Sequence, residues 1–86
     1  MIESSYTIKE ENGIHARPAG FLVKEVKQLD STITVKTCDG KSAAADKLFA
    51  LMKLGVKQGD TITIVAEGGD EQKSLDSVMD FMSNNF

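Results

Sequence analysis

One histidine and one proline occur in the 86 residues, and with the sole arginine they crowd into four positions as His15, Arg17 and Pro18. Proline fixes φ near the helical value and has no N–H to satisfy, so it belongs in the first turn of a helix. A strand-like run, Ile2 to Ile8, precedes this stretch and an amphipathic run, Ala19 to Leu29, follows it. His15 is therefore expected at or beside a helix N-cap, with Gly13 easing the turn before it. A helix start offers unpaired backbone N–H groups and the positive end of the macrodipole, which together bind anions such as phosphate. Arg17 adds a charge-assisted donor with bidentate reach. A neutral imidazole in that setting is a nucleophile, and the same donors would stabilise a phosphoryl group once it is attached to nitrogen. The plainer reading is a surface histidine closing a loop. Composition alone favours that reading; the joint spacing His-x-Arg-Pro at a helix start favours phosphate chemistry.

The elements that must hold this stretch follow from periodicity. Ile2, Tyr6 and Ile8 alternate with polar residues, which marks a half-buried strand. Ala19, Leu22, Val23, Val26 and Leu29 form one stripe of a helix, with Lys24 and Lys27 off it and Gly20 as an unfavourable interior residue. Asp30-Ser31 breaks the helix, Thr32 to Thr37 alternates around Ile33 and Val35, and Asp39-Gly40 signals a hairpin returning as a short strand from Lys41 to Ala44. Asp46 is expected to cap a short helix over Lys47–Lys53 that ends at Gly55. Within it Leu51 and Leu54 point to the core, while Leu48, Phe49 and Met52 are candidates for an exposed apolar patch; a core role for Leu48 or Met52 stays open. Thr61 to Glu67 is a fourth strand with Ile62, Ile64 and Ala66 inward. Gly68-Gly69-Asp70 then starts a last helix with the stripe Leu75, Val78, Met79, Met82 and Phe86. The order β-α-β-β-α-β-α predicts an α+β open-faced sandwich, a four-stranded antiparallel sheet with three helices on one face. One domain over residues 1–86 is expected from the length.

Composition narrows the partners. A net charge of −3 argues against nucleic acid. The charge is uneven: residues 17–57 carry eight basic and four acidic side chains, and residues 58–86 carry one and six. The segment with the candidate site is thus locally basic and suited to an acidic partner. A single cysteine, Cys38, forms no internal disulfide, fits a reducing compartment, and is read as structural. No metal set can be assembled, and no cofactor loop is present. Neither a signal peptide nor an apolar run of transmembrane length occurs, so a cytoplasmic protein without membrane insertion is expected, and a monomer.

The stretch Gly13-Ile14-His15-Ala16-Arg17-Pro18-Ala19 resembles the active-site signature of the histidine-containing phosphocarrier (HPr) family of the bacterial phosphotransferase system. Support comes from Lys47 to Gly55, which is similar to the family's short second helix, and from Gly59-Asp60-Thr61-Ile62-Thr63-Ile64 followed by Gly68-Gly69-Asp70-Glu71. The resemblance spans nearly the whole chain. It implies the same fold and a phosphoryl carrier rather than an enzyme with turnover. His15 would take a phosphoryl group on Nδ1 from enzyme I, with phosphoenolpyruvate as ultimate donor, and pass it to IIA domains of sugar permeases. Arg17 would pair with the phosphoryl oxygens, and Ala16, Arg17 and Pro18 would form the phosphate-binding segment. A partner surface of Leu48, Phe49 and Met52 with Lys24, Lys27 and Arg17 is expected around it. Many relatives open the short helix with a regulatory serine; Lys47 stands there in this chain, so no regulatory serine is expected. The alternatives are a regulatory binding module on the same surface, or a nitrogen-related or fructose-specific paralogue.

Overall fold

The computed structural model describes all 86 residues. Its elements are β1 (Ile2–Thr7), α1 (Ala16–Lys27), β2 (Thr32–Thr37), β3 (Ser42–Ala44), α2 (Leu48–Lys53), β4 (Thr61–Glu67) and α3 (Glu71–Asn85). The strands form one antiparallel sheet in the order β1-β4-β2-β3. Pairing of β1 with β4 sets Tyr6 against Ile62 and Ile2 against Ala66. Pairing of β2 with β4 sets Ile33 against Ala66 and Val35 against Ile64. Because side chains alternate along a strand, these registers put every inward apolar residue on one face.

That face is covered by the helices, and together they enclose one cluster of buried apolar residues. Ala19, Leu22 and Val26 enter it from α1, Leu51 and Leu54 from α2 and its end, and Leu75, Val78, Met82 and Phe86 from α3 and its end. Each large side chain so buried contributes about 1.5–3 kcal/mol. The other face is polar, with Ser5, Thr7, Thr32, Thr34, Lys36 and Thr63. Val65 is the exception: it is buried there, outside the core cluster, in register with Glu3 on one side and Thr34 on the other.

Two expectations need correction. Asp46 does not cap α2. The Lys47 N–H donates to the Ala44 carbonyl (3.1 Å), so a tight turn takes up residues 45 and 46 and the helix starts one residue later, with Lys47 at the N-cap and no side-chain cap. The third strand begins at Ser42 instead of Lys41, because Lys41 is held in the hairpin turn by its N–H to Thr37 Oγ1 (3.1 Å). Cys38, read as structural, is exposed in the hairpin. Its thiol donates to the Thr61 carbonyl (3.1 Å), tying the hairpin to the start of β4.

Far from α1's start, a second set of loops is locked together. The Ser31 hydroxyl donates to the Gly68 carbonyl (2.5 Å), and the Asp70 N–H donates to the Asp30 carboxylate (3.3 Å). Gly69 sits at φ +58, and a Cβ there would meet the Asp30 carbonyl oxygen at 2.5 Å. Only glycine satisfies both the backbone angle and the close approach.

Candidate functional site: a histidine at an open helix start

His15 is the N-cap of α1, in extended backbone (φ −125, ψ 169), and its side chain makes no capping hydrogen bond. Its carbonyl accepts the Ala19 N–H (3.0 Å), which begins the helical ladder. The N–H groups of Ala16 and Arg17 lie too early in the helix to find an acceptor within it, and Pro18 has none to offer. No acidic side chain occupies the first turn, so the positive end of the helix is not offset. His15 itself is half-buried and Arg17 is exposed. The two ion pairs of the molecule, Met1–Glu71 and Lys41–Asp39, leave the Arg17 guanidinium free.

The loop leading to His15 is clamped from two sides. On one side the Ile8 N–H donates to the Asp60 carbonyl (2.9 Å), the Gly59 N–H to the Ile8 carbonyl (2.8 Å), Gln58 Nε2 to the Lys9 carbonyl (3.2 Å), and the Ile14 N–H to the Val56 carbonyl (3.2 Å). On the other side the Lys9 and Glu10 N–H groups both donate to the Phe86 carbonyl oxygen (2.5 and 2.7 Å). Gly13 lies at φ +65, and a Cβ on it would run into the Val56 carbonyl oxygen and come within 2.9 Å of Lys57 Cα. The glycine of the motif thus does more than ease a turn: it lets the loop before β4 lie directly against the loop before His15. The histidine is fixed by backbone hydrogen bonds on both flanks, not by its own side chain.

Around it lies a shallow depression of about 330 Å³ lined by His15, Arg17 and Pro18, by Glu10 and Phe21, and by Asn84 and Asn85 at the end of α3. Sequence reading brought together His15, Arg17 and Pro18 but missed the other four. Phe21 carried a signal, since it lies off the apolar stripe of α1. Asn84 and Asn85 carried none, because only the packing of α3 brings them there.

The remaining candidates surround α1. Lys24 and Lys27 are exposed in its last two turns, where positive charge suits the helix C-terminus. Phe49 (77% exposed) and Met52 (41%) project from α2, which packs beside α1. Of the two readings open for Leu48, the structure gives the core one: it is half-buried and packs against the core, so the exposed apolar patch on α2 is Phe49 with Met52. Lys47 is exposed at the N-cap of α2. No helix is long and apolar enough to cross a membrane, and no group of three or more His, Cys, Asp or Glu could hold a metal ion.

The fold and this stretch define a class: small α+β open-faced sandwiches that carry one histidine at the start of the first helix. Comparison with known proteins then places the chain. A sequence model described as the PTS HPr component phosphorylation site matches residues 2–84. The chain belongs to that family, the HPr phosphocarriers of the phosphotransferase system. It is 44% identical over 82 residues to the phosphocarrier protein HPr of Vibrio cholerae, covering 95% of each chain. It is 35% identical to the HPr-like protein Crh of Halalkalibacterium halodurans, covering 95% of this chain and 96% of that one. Among solved structures, a crystal structure of HPr-C-His from Thermoanaerobacter tengcongensis superposes with a TM-score of 0.90 at 34% identity, covering 100% of this chain and 96% of the other.

Proposed function

We propose that this chain carries phosphoryl groups in a phosphoenolpyruvate-dependent sugar phosphotransferase system, accepting them from enzyme I and donating them to IIA domains of sugar permeases. The observation that carries the reading is His15 at a helix start that nothing in the molecule caps, with Arg17 two residues on and unpaired. In the accepting step, the lone pair of His15 Nδ1 attacks phosphorus in line. The bond between phosphorus and the donor's nitrogen breaks, and its electron pair stays on the donor imidazole. Donation runs the same exchange toward the acceptor. Little covalent work falls to the protein, so rate comes from positioning and charge. The N–H groups of Ala16 and Arg17 and the Arg17 guanidinium would supply that charge on the phosphoryl oxygens, while Pro18 holds the first turn in shape. The protein is used and regenerated within a chain of transfers, as a substrate of its partners.

Partners would dock over α1 and α2, with Phe49 and Met52 as apolar anchors and Arg17, Lys24 and Lys27 as a basic rim. Charge of that sign speeds encounter with an acidic partner, and apolar anchors lengthen the stay. Lys47 offers no hydroxyl at the opening of α2, so transfer would be free of control by phosphorylation at that position. The presence of His15 sets the carrier reading ahead of a purely regulatory module. The test is incubation with phosphoenolpyruvate and enzyme I, with acid-labile, base-stable label expected on His15. His15→Ala should abolish labelling and keep the fold, and Arg17→Ala should slow transfer about 100-fold. Label retained in His15→Ala would overturn the assignment.

A further inference from the structure

Among the strand residues on the face of the sheet that no helix covers, Lys36 is the one cation, and its row is made of hydroxyls. In register across the sheet, Ser5 of β1 lies beside Thr63 of β4, Thr63 beside Lys36 of β2, and Lys36 beside Ser42 of β3. The next row holds Glu3, Val65, Thr34 and Ala44, so its carboxylate stands at the far edge of the sheet, on the other side of β4. Neither ion pair of the molecule includes Lys36.

The ladder beside Lys36 decides what the sheet edge offers. The Thr37 N–H donates to the Lys41 carbonyl (2.8 Å) and the Ala45 N–H to the Ile33 carbonyl (2.9 Å), so the bonded pairs of β2 and β3 are the odd-numbered ones. Lys36 and Ser42 are then a non-hydrogen-bonded pair, the kind whose side chains stand closest. The Ser42 N–H points away from β2, and β3 is the last strand of the sheet, so no further strand takes it.

Lys36, Thr37, Gly40, Lys41 and Ser42 line an open cavity of about 310 Å³ with no apolar residue in its wall. None of them lines the depression at His15. Thr37 shapes the turn, its Oγ1 accepting the Lys41 N–H (3.1 Å). Lys41 brings the second ammonium. Its counter-charge is Asp39, at 3.7 Å, with both side chains more than half exposed, and that carboxylate also accepts the Thr37 hydroxyl. An ion pair this long and this exposed contributes little, so Lys41 can turn to an anion. Two ammonium groups, a hydroxyl and an unused N–H thus meet at one cavity that no carboxylate lines. Such donors suit a dianion with several terminal oxygens, because hydrogen bonds between charged partners are the strong ones. The cavity has the size of a small-molecule site, and its wholly polar wall suits a hydroxyl-bearing ligand body.

We propose that the β2–β3 turn is a second anion site, at which Lys36, Lys41 and Ser42 bind the phosphate group of a small phosphomonoester with a polar, hydroxylated body. The site binds and does no chemistry, and it shares no lining residue with the depression at His15.

The experiment titrates the intact protein with glycerol 3-phosphate and follows the backbone amides by NMR, with inorganic phosphate, and potassium chloride at equal ionic strength, in parallel. Saturable shifts are expected at Lys36, Gly40, Lys41 and Ser42, with inorganic phosphate binding there several-fold more weakly. Lys36→Gln and Lys41→Gln should each weaken binding at the turn about tenfold, and Lys36→Arg should retain it. Shifts at Ala16 and Arg17 should be the same in all three variants as in wild type, and the same spectra report that each variant is folded. No saturable shift at the turn, or one that potassium chloride reproduces, would overturn the site. Equal binding of inorganic phosphate would overturn the phosphomonoester assignment, and undiminished binding in both glutamine variants would overturn the role of the two lysines.

Discussion

Two helices of this molecule begin in opposite ways. The start of α3 is filled: the Asp70 carboxylate accepts the Lys73 N–H (3.2 Å), Glu71 adds negative charge in the first turn, and the Asp30 carboxylate accepts the Asp70 N–H. The start of α1 is left open, with His15 making no cap and only a cation, Arg17, in its first turn. Each filled cap contributes about 1 kcal/mol, and charge complementary to the dipole adds roughly 0.3–1 kcal/mol. The α1 start forgoes both and leaves its donors open, as the proposed carrier role requires. The difference separates a helix end closed by the protein's own side chains from one left open.

Several substitutions would break or sharpen that contrast. The largest effect is expected from His15→Asp, which writes the α3 solution into α1. Phosphoryl transfer should vanish while stability rises by about 0.5–1 kcal/mol, as read by labelling and by urea unfolding. Next comes Gly69→Ala, which forces a Cβ against the Asp30 carbonyl in left-handed backbone. It should destabilise by about 2 kcal/mol or more in urea, yet leave transfer by the folded fraction unchanged. Asp70→Ala removes one cap and should lower stability by about 1 kcal/mol, again with transfer intact.

The smallest effect is a pH dependence confined to the α3 end. Glu71 is held below its ordinary carboxylate value of 4.5, first by the hydrogen bond from the N-terminal ammonium and then by the Gly68 N–H. A carboxyl lowered in the folded state supports folding above its unfolded value and loses that support as pH falls through the folded one. Stability should therefore decline below about pH 4.5, and Glu71→Gln should flatten part of that decline in acid titrations followed by circular dichroism.

Much of this was legible in the chain. The stripe on α1, the alternation in β2 and β4, and Pro18 placed the elements and put His15 at a helix start, because each is a local signal of period or backbone angle. What escaped depends on long-range approach. Gly13 read as a turn residue, and its need for the Val56 carbonyl came only with the fold. Asp30 read as a helix breaker, and its hold on the Asp70 N–H crosses 40 residues. Asp46 read as a cap because it is the right residue type one position too early, in a turn that the pairing of β3 fixes. Leu48 stayed open between the exposed patch and the core because a single turn-and-a-half gives too short a period to tell a core-edge residue from a free one.

The clamp on the His15 loop has a consequence in time. That loop is held by Val56, Gln58, Gly59 and Asp60, and β1 before it pairs only with β4. While the chain is being synthesised, neither support exists until residues more than 40 positions later have been added, at about 5–20 residues per second. For some seconds the histidine is present without its geometry. The geometry of the site is complete only once β4 has paired and Phe86, which holds the other side of the clamp, has been added.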